Sequence, residues 1–216
     1  GRSMPLSLKV DTVDLEFQQR LRLSPVHELT WGAGWRHIRD TTRGSLTITF
    51  NPETSRRHVS NIFVQDEMTL AEHLRLTVGS KFEHNDATGL EVQPSARLHW
   101  QASERDAFWA SVSRAVETPS RATLESQIHH VVVPAGTPLL PYYPGSLPMP
   151  LVVGLYGNPD VVSQELVARE LGYRGLFGQN LSVDFTLFHH DYDHLVSIEE
   201  GSLQLGFPNS VYAAQF

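Results

Sequence analysis

Alternation with a period of two constrains this chain more than any other feature of its sequence. Val13, Leu15, Phe17, Leu21 and Leu23 share one side of an extended chain, while Asp14, Glu16, Gln18, Arg20 and Arg22 share the other. A helix would scatter the five apolar side chains around its circumference; a strand gathers them on one face. Past Ser24-Pro25 the pattern resumes with Leu29, Trp31, Ala33 and Trp35. It returns in Ile62, Val64, Met68 and Leu70, in Leu74, Leu76, Val78 and Phe82, and in Val92, Ala96, Leu98 and Trp100. Phe108 to Val116, Leu166 to Tyr173, Leu181 to Phe188 and a short segment from Val211 to Phe216 complete about nine strands, with no amphipathic helix among them. The fold class is all-β.

Strand length and loop order narrow that class. Val10 to Leu23 and Leu181 to Ile198 are longer than the five or so residues typical of a globular strand, and suit tilted membrane-spanning strands. Read in order, Ser24 to His27 is a short connection and Asp40 to Ser60 a long one. Ala71 to His73 is short and Asn85 to Leu90 moderate; Gln101 to Asp106 is short and Glu117 to Val162 very long. Gly175 to Gln179 is short again, and Glu199 to Asn209 longer. In an antiparallel up-and-down meander every second connection lies at the same rim, so short turns collect at one end and long loops at the other. An outer-membrane β-barrel sorts its loops in this way, with aromatic girdles such as Trp31, Trp100 and Phe108 could supply. The alternative is a soluble β-sandwich or a propeller-like ligand-binding module, in which Val13, Leu15, Phe17, Leu74, Leu76, Val78 and Phe82 would face a closed core.

Composition removes other classes. A formal net charge of -7 over 216 residues leaves no surplus of cations for nucleic acid. The absence of cysteine excludes a disulfide framework, Cys-ligated metal and a Cys nucleophile. No apolar run reaches the length of a membrane helix, the longest being Leu151 to Tyr156. No phosphate loop, HExxH motif or ordered triad is present, so no enzyme and no cofactor are expected.

Five segments resemble the barrel of TonB-dependent outer-membrane receptors. Phe63-Val64-Gln65-Asp66-Glu67, followed by Leu74-Arg75-Leu76-Thr77-Val78-Gly79, is similar to a hairpin of that family. Val92-Gln93-Pro94-Ser95 resembles the entry of its next strand, and Trp109 to Ala115 running on to Thr118-Pro119-Ser120 resembles the one after. Asn158-Pro159-Asp160, Glu165 and Glu170-Leu171-Gly172-Tyr173-Arg174 follow in order, then Asn180 to Asp184 and Phe188 to Leu195. The resemblance covers Val10 to Phe216 and implies part of a barrel of about 22 strands. Residues 1–9 read as a remnant or linker, and the chain as a piece lacking the plug domain, the TonB-engaging segment and the closing strands. The resemblance further implies a place in the Gram-negative outer membrane, against lipid. It implies uptake of a scarce nutrient such as a ferric siderophore, haem or cobalamin, with TonB as energy-coupling partner through the missing N-terminal region. An isolated piece with two open sheet edges is expected to self-associate. Gln65, Asp66, Glu67, Pro94, Thr118, Pro119, Glu165, Glu170 and Gly172 carry the likeness, with structural roles facing the lumen or at strand ends.

Two groups invite a functional reading. His189-His190-Asp191 with Asp193 and His194 has the composition of a metal site, but adjacent histidines in a strand point to opposite faces, so none is assigned. The long connection 117–162 holds Pro134, Pro138, Pro141, Pro144, Pro148 and Pro150. It is too long for a mere connector. Its His129, His130, Tyr142, Tyr143 and Tyr156 are the candidate contacts for an organic or metal-chelate substrate.

Overall fold

The computed structural model describes residues 5–45, 47–137, 146, 151–199, 203–205 and 210–215. Its strands are β1 (Ser7–Arg22), β2 (His27–Arg43), β3 (Ile48–Phe50), β4 (Thr54–Ala71), β5 (Leu74–Asn85), β6 (Gly89–Gln101) and β7 (Asp106–Glu117). A short helix α1 (Arg121–Glu125) precedes β8 (Ser126–Val133), β9 (Leu151–Tyr156), β10 (Gln164–Phe177), β11 (Leu181–Asp193), β12 (Leu203–Leu205) and β13 (Ser210–Gln215). Eight long strands form one antiparallel meander in the order β1-β2-β4-β5-β6-β7-β10-β11. The other five make a smaller sheet, β12-β13-β9-β8-β3.

Three boundaries differ from those read in the sequence. β1 begins at Ser7, which pairs with Arg43, so strand reaches into the leading stretch 1–9. β2 and β4 extend far into the segment expected to be a long loop, leaving 44–53 between them. The connection expected to be moderate is the tight turn 86–88, closed by Asn85 Oδ1 accepting from the amides of Ala87 and Thr88 at 2.9 and 2.8 Å. Long connections at the 44–53 and 118–163 end therefore oppose short ones, with 86–88 the exception at that rim.

The last strand is a correction. Val211 to Phe216 was expected to continue the wall; instead β13 pairs in parallel with β9, in the small sheet. A wall strand would have to follow β11 antiparallel along its length, and β11 ends at Asp193, short of the Ile198 expected. The wall therefore has eight strands here rather than nine.

Register builds two unlike faces. Residues directly opposite one another share a face. One rung carries Phe17, Ala33, Ile62, Phe82 and Val92, and the next Leu15, Trp35 and Ser60. Further along the same face stand Leu76, Leu98, Ala110, Leu171 and Leu187. These apolar side chains have no cover: Val13, Leu15 and Phe17 are 53%, 62% and 54% exposed. The largest fully buried side chain among the described residues is Thr42, not an aliphatic one. A soluble sandwich would bury this face in a closed core, so that alternative fails. The other face is polar and laced with ion pairs, among them Arg36 Nε to Asp14 at 2.8 Å, Arg174 Nε to Asp184 at 2.9 Å and Lys81 to Glu83 at 2.6 Å.

Aromatic side chains mark the short-turn rim. Trp100 and Phe108 lie across from each other with rings 5.5 Å apart, and Phe108 meets Tyr173 at 4.9 Å. Trp31 lies deeper, against Phe17 at 5.3 Å. On the polar face the Trp109 indole lies over Gly172, where any Cβ would overlap it, and the Arg97 guanidinium lies over the indole, 5.2 Å from its centroid. Of the residues carrying the family likeness, Gln65, Glu67, Glu170 and Gly172 fall on the polar face. Asp66, Pro94 and Glu165 fall on the rows of the apolar one; Glu165 stands at the start of β10, whereas Asp66 and Pro94 depart from the expected lumen-facing role. Asp66 is accommodated there by His27 Nδ1 at 2.7 Å.

Candidate functional site

The excursion between β7 and β10 is folded rather than looped. Pro119 is buried, and Ser120 caps α1 by accepting from the Thr123 amide at 3.1 Å. From that turn Arg121 reaches down into the top of the wall, where it is 7% exposed. Its guanidinium pairs with Asp40 of β2, itself 6% exposed. It also donates to Glu125 Oε2 at 2.7 Å, to Thr42 Oγ1 at 3.1 Å and to the Pro52 carbonyl, while the Phe50 ring lies 4.9 Å away. A cation so far from water persists only with its donors matched in this way. Asp40 to Arg121 thus fastens the helix to the wall.

From α1 the small sheet grows outward. The Gly157 amide donates to Ser126 O at 2.7 Å and the Asn158 amide to Thr123 O at 2.9 Å, an approach so close that a Cβ at 157 would strike the backbone of Leu124 and Glu125. The His129 amide donates to Thr47 O at 2.8 Å, so the 44–53 connection joins the same layer through β3. In this layer the His129 and Tyr156 rings meet at 6.2 Å. Burial raises the Tyr156 hydroxyl above the ordinary phenol range, so it stays a neutral hydrogen-bond donor at physiological pH. Two of the five candidate contacts are therefore brought together. His130 sits at a register shift in β8, its side chain outside the described residues, as are Tyr142 and Tyr143.

A second cluster stands where the excursion rejoins the wall. Arg114 of β7 grips Glu165 of β10 and donates to the Val92 carbonyl, with Glu91 Oε2 at 4.0 Å. Ser163 donates to Glu91 Oε1 at 2.5 Å. Thr88, Glu91, Asp160, Glu165 and His194 line a recess of about 430 Å³ beside it. A third cluster lies on the apolar side of β2 and β4, where His37 Nδ1 meets His58 Nε2 at 3.0 Å and His58 Nδ1 meets Asp86 at 3.1 Å.

His189 and His190 separate to opposite faces, beside Asp191 at 3.6 Å and Glu170 at 3.7 Å respectively. Among the described residues no group of three or more His, Cys, Asp or Glu side chains is placed to hold a metal ion. Sequence reasoning missed Arg121, Asp40 and Glu91. The only signal was Arg121's place directly after the Thr118-Pro119-Ser120 motif; nothing in the chain announces its distant partner.

A long-stranded meander with one exposed apolar face, one ion-paired face and its elaborate connections at one rim is the wall of an outer-membrane β-barrel. The family model described as TonB dependent receptor-like, beta-barrel, matches residues 4–213. The chain belongs to the TonB-dependent receptor family, whose members lie in the Gram-negative outer membrane. The iron-regulated outer membrane virulence protein of Vibrio cholerae serotype O1 is 29% identical over 172 residues, 77% of this chain but only 22% of the relative. Among solved structures, the siderophore receptor PirA of Pseudomonas aeruginosa superposes with a TM-score of 0.69 at 20% identity, over 96% of this chain and 37% of that one. A variant of the ferric enterobactin receptor of the same organism, in complex with enterobactin, gives 0.70 at 21% identity, over 98% and 31%. At these identities the structural likeness establishes the fold. The chain spans about a fifth of the curated relative's length.

Proposed function

We propose that this chain is a piece of a receptor that binds a ferric siderophore at its outer rim and imports it with energy supplied through TonB. The observation supporting the rim as the binding surface is the Arg121–Asp40 fastening. It holds a folded layer carrying His129 and Tyr156 above the wall instead of leaving a slack connector. An aromatic and imidazole surface suits an organic chelate that presents aromatic rings and hydrogen-bonding groups, through stacking and hydrogen bonding. The choice of a ferric siderophore over haem or cobalamin draws on solved relatives named as a siderophore receptor and as a ferric enterobactin receptor. His130, Tyr142 and Tyr143 belong to the same proposed surface. TonB would be engaged by parts of the receptor outside this chain.

The test uses the full-length receptor as the only outer-membrane iron route in an iron-starved strain. A ferric siderophore is expected to support growth, and His129→Ala with Tyr156→Ala is expected to weaken its binding about tenfold or more, roughly 1.4 kcal/mol. Growth on haem alone, or uptake of cobalamin, with siderophore binding unchanged in the double variant, would overturn the reading.

A further inference from the structure

The apolar face ends, at the rim of long connections, in a rung of unlike chemistry. The register places Val13, His37 and His58 on one rung and Asp11, Arg39 and Arg56 on the next. The rung beyond carries Lys9, Thr41 and Thr54, and Arg43 lies further out. All share the face that carries Leu15, Phe17, Trp35 and Ile62 below. The buried Asp40, Thr42 and Ser55 occupy the intervening positions, which confirms that Arg39 and Arg56 face away from the excursion.

Arg39 and Arg56 stand directly opposite each other on adjacent strands. Like charges in that position repel unless something neutralises them. Both are exposed, and neither has a carboxylate within ion-pair distance among the described residues. The two acids nearby are already engaged: Asp11 pairs with Lys9 at 3.2 Å, and Asp86 accepts from His58. Although Asp11 lies opposite Arg39, the two arginines form a cationic pair with no ion-pair partner among the described residues, in a chain whose net charge is -7.

We propose that Arg39 and Arg56 clamp a phosphate on the headgroup of an outer-leaflet lipid, whose acyl chains lie along the apolar rows beneath. Two guanidinium groups on strands about 4.8 Å apart can each give paired donors to one phosphate. Lys9 and His37 border the site and add donors at its edge. Charge complementarity selects the phosphate. Continuity with the bilayer-facing rows selects a lipid over a soluble anion, because the same molecule then satisfies both the cations and the uncovered apolar surface.

The test is native mass spectrometry on the full-length receptor, stripped of lipid in detergent and titrated with bisphosphorylated lipid A. Wild type is expected to retain the lipid, and the Arg39→Gln, Arg56→Gln variant to bind it at least tenfold more weakly. Arg39→Lys with Arg56→Lys should fall between them, and Arg22→Gln at the opposite rim should match wild type. Retained heat-modifiable mobility in SDS establishes that each variant still folds. Dephosphorylated lipid A should bind wild type no better than the phosphorylated form binds the Gln variant. Equal retention by wild type and the Gln variant, or by the two lipid forms, would overturn the proposal. So would displacement by inorganic phosphate at equal concentration, which would make the pair a site for free anions.

Discussion

Arg114 of β7 holds Glu165 of β10 in a two-pronged ion pair, Nε 3.0 Å from Oε2 and Nη2 2.6 Å from Oε1. The same guanidinium donates to the Val92 carbonyl of β6, so one side chain ties together three strands at the point where the 118–163 excursion rejoins the wall. Arg114→Ala removes both prongs and leaves the largely buried Glu91 without its nearest cation. The expected cost is roughly 1–3 kcal/mol, felt at the rim. Arg114→Lys should recover little of it, since an ammonium cannot reproduce the fork. Limited proteolysis within 118–163 is the readout: cleavage should accelerate in both variants, and wild-type resistance in Arg114→Ala would refute the role.

The Arg121–Asp40 pair should behave more severely. Both groups are almost fully buried, so removing one leaves the other with a single remaining counter-charge, Glu125 beside Arg121 or Arg57 at 4.0 Å from Asp40. Asp40→Asn or Arg121→Met should cost about 3 kcal/mol locally, the low end for breaking a buried pair, releasing α1 and the small sheet. Because the eight-stranded wall does not depend on α1, heat-modifiable mobility should persist while substrate affinity falls. Loss of both together would mean that the pair holds the wall itself.

Acid should open the clasp between β4 and the 86–88 turn. The Asp86 carboxylate accepts from the His58 amide at 2.7 Å and from the His58 ring, and these bonds hold it below its ordinary range. A carboxylate depressed in the folded state stabilises that state above the unfolded value of about 3.9 and loses the contribution as pH falls through the folded value. Hydrogen exchange at the His58 amide should therefore stay slow at neutral pH, with protection falling only below pH of about 4. Asp86→Asn should show no such transition, and a loss of protection centred near neutrality would assign the change to the imidazoles instead.

Among the described residues the two edges of the meander, β1 and β11, each pair on one side only, and nearly every residue of both is exposed. Unpaired edges beside an uncovered apolar face invite association. The isolated chain, refolded in detergent, is expected to run as a dimer or larger by light scattering. A monodisperse monomer would contradict this.

The wall was legible because bilayer-facing strands alternate apolar with polar, and Val13 to Leu23 and Leu74 to Phe82 show that pattern with one polar break each, at Gln19 and Ser80. It faded where the strands rise past the apolar belt. His37 and Arg39 face out while Asp40 and Thr42 face in, so both faces are polar and the period vanishes although the strand continues. The end of β2 from Asp40 and the start of β4 as far as Ser60 therefore read as loop. The small sheet left a trace in the apolar run Leu151 to Tyr156, but pairing at a distance, such as β3 with β8, has no local signature. The site was half visible. His129 and Tyr156 drew notice by residue type, whereas Arg121 and Asp40 matter through a contact that only the folded chain creates. Asp66 shows the limit of motif reading, since its neighbours Gln65 and Glu67 face the polar side and it faces the other, with His27 as partner.

The most direct test of the wall is site-directed spin labelling of single Cys variants at positions 13 to 18 in the full-length receptor, made in a Cys-free background and reconstituted in lipid bilayers. Collision with oxygen, which concentrates in lipid, should peak at Val13, Leu15 and Phe17, and collision with a water-soluble nickel chelate at Asp14, Glu16 and Gln18. A period of two, with the two probes out of phase, is the predicted result. Uniform access to the aqueous probe, or odd positions shielded from both probes, would contradict a lipid-facing wall.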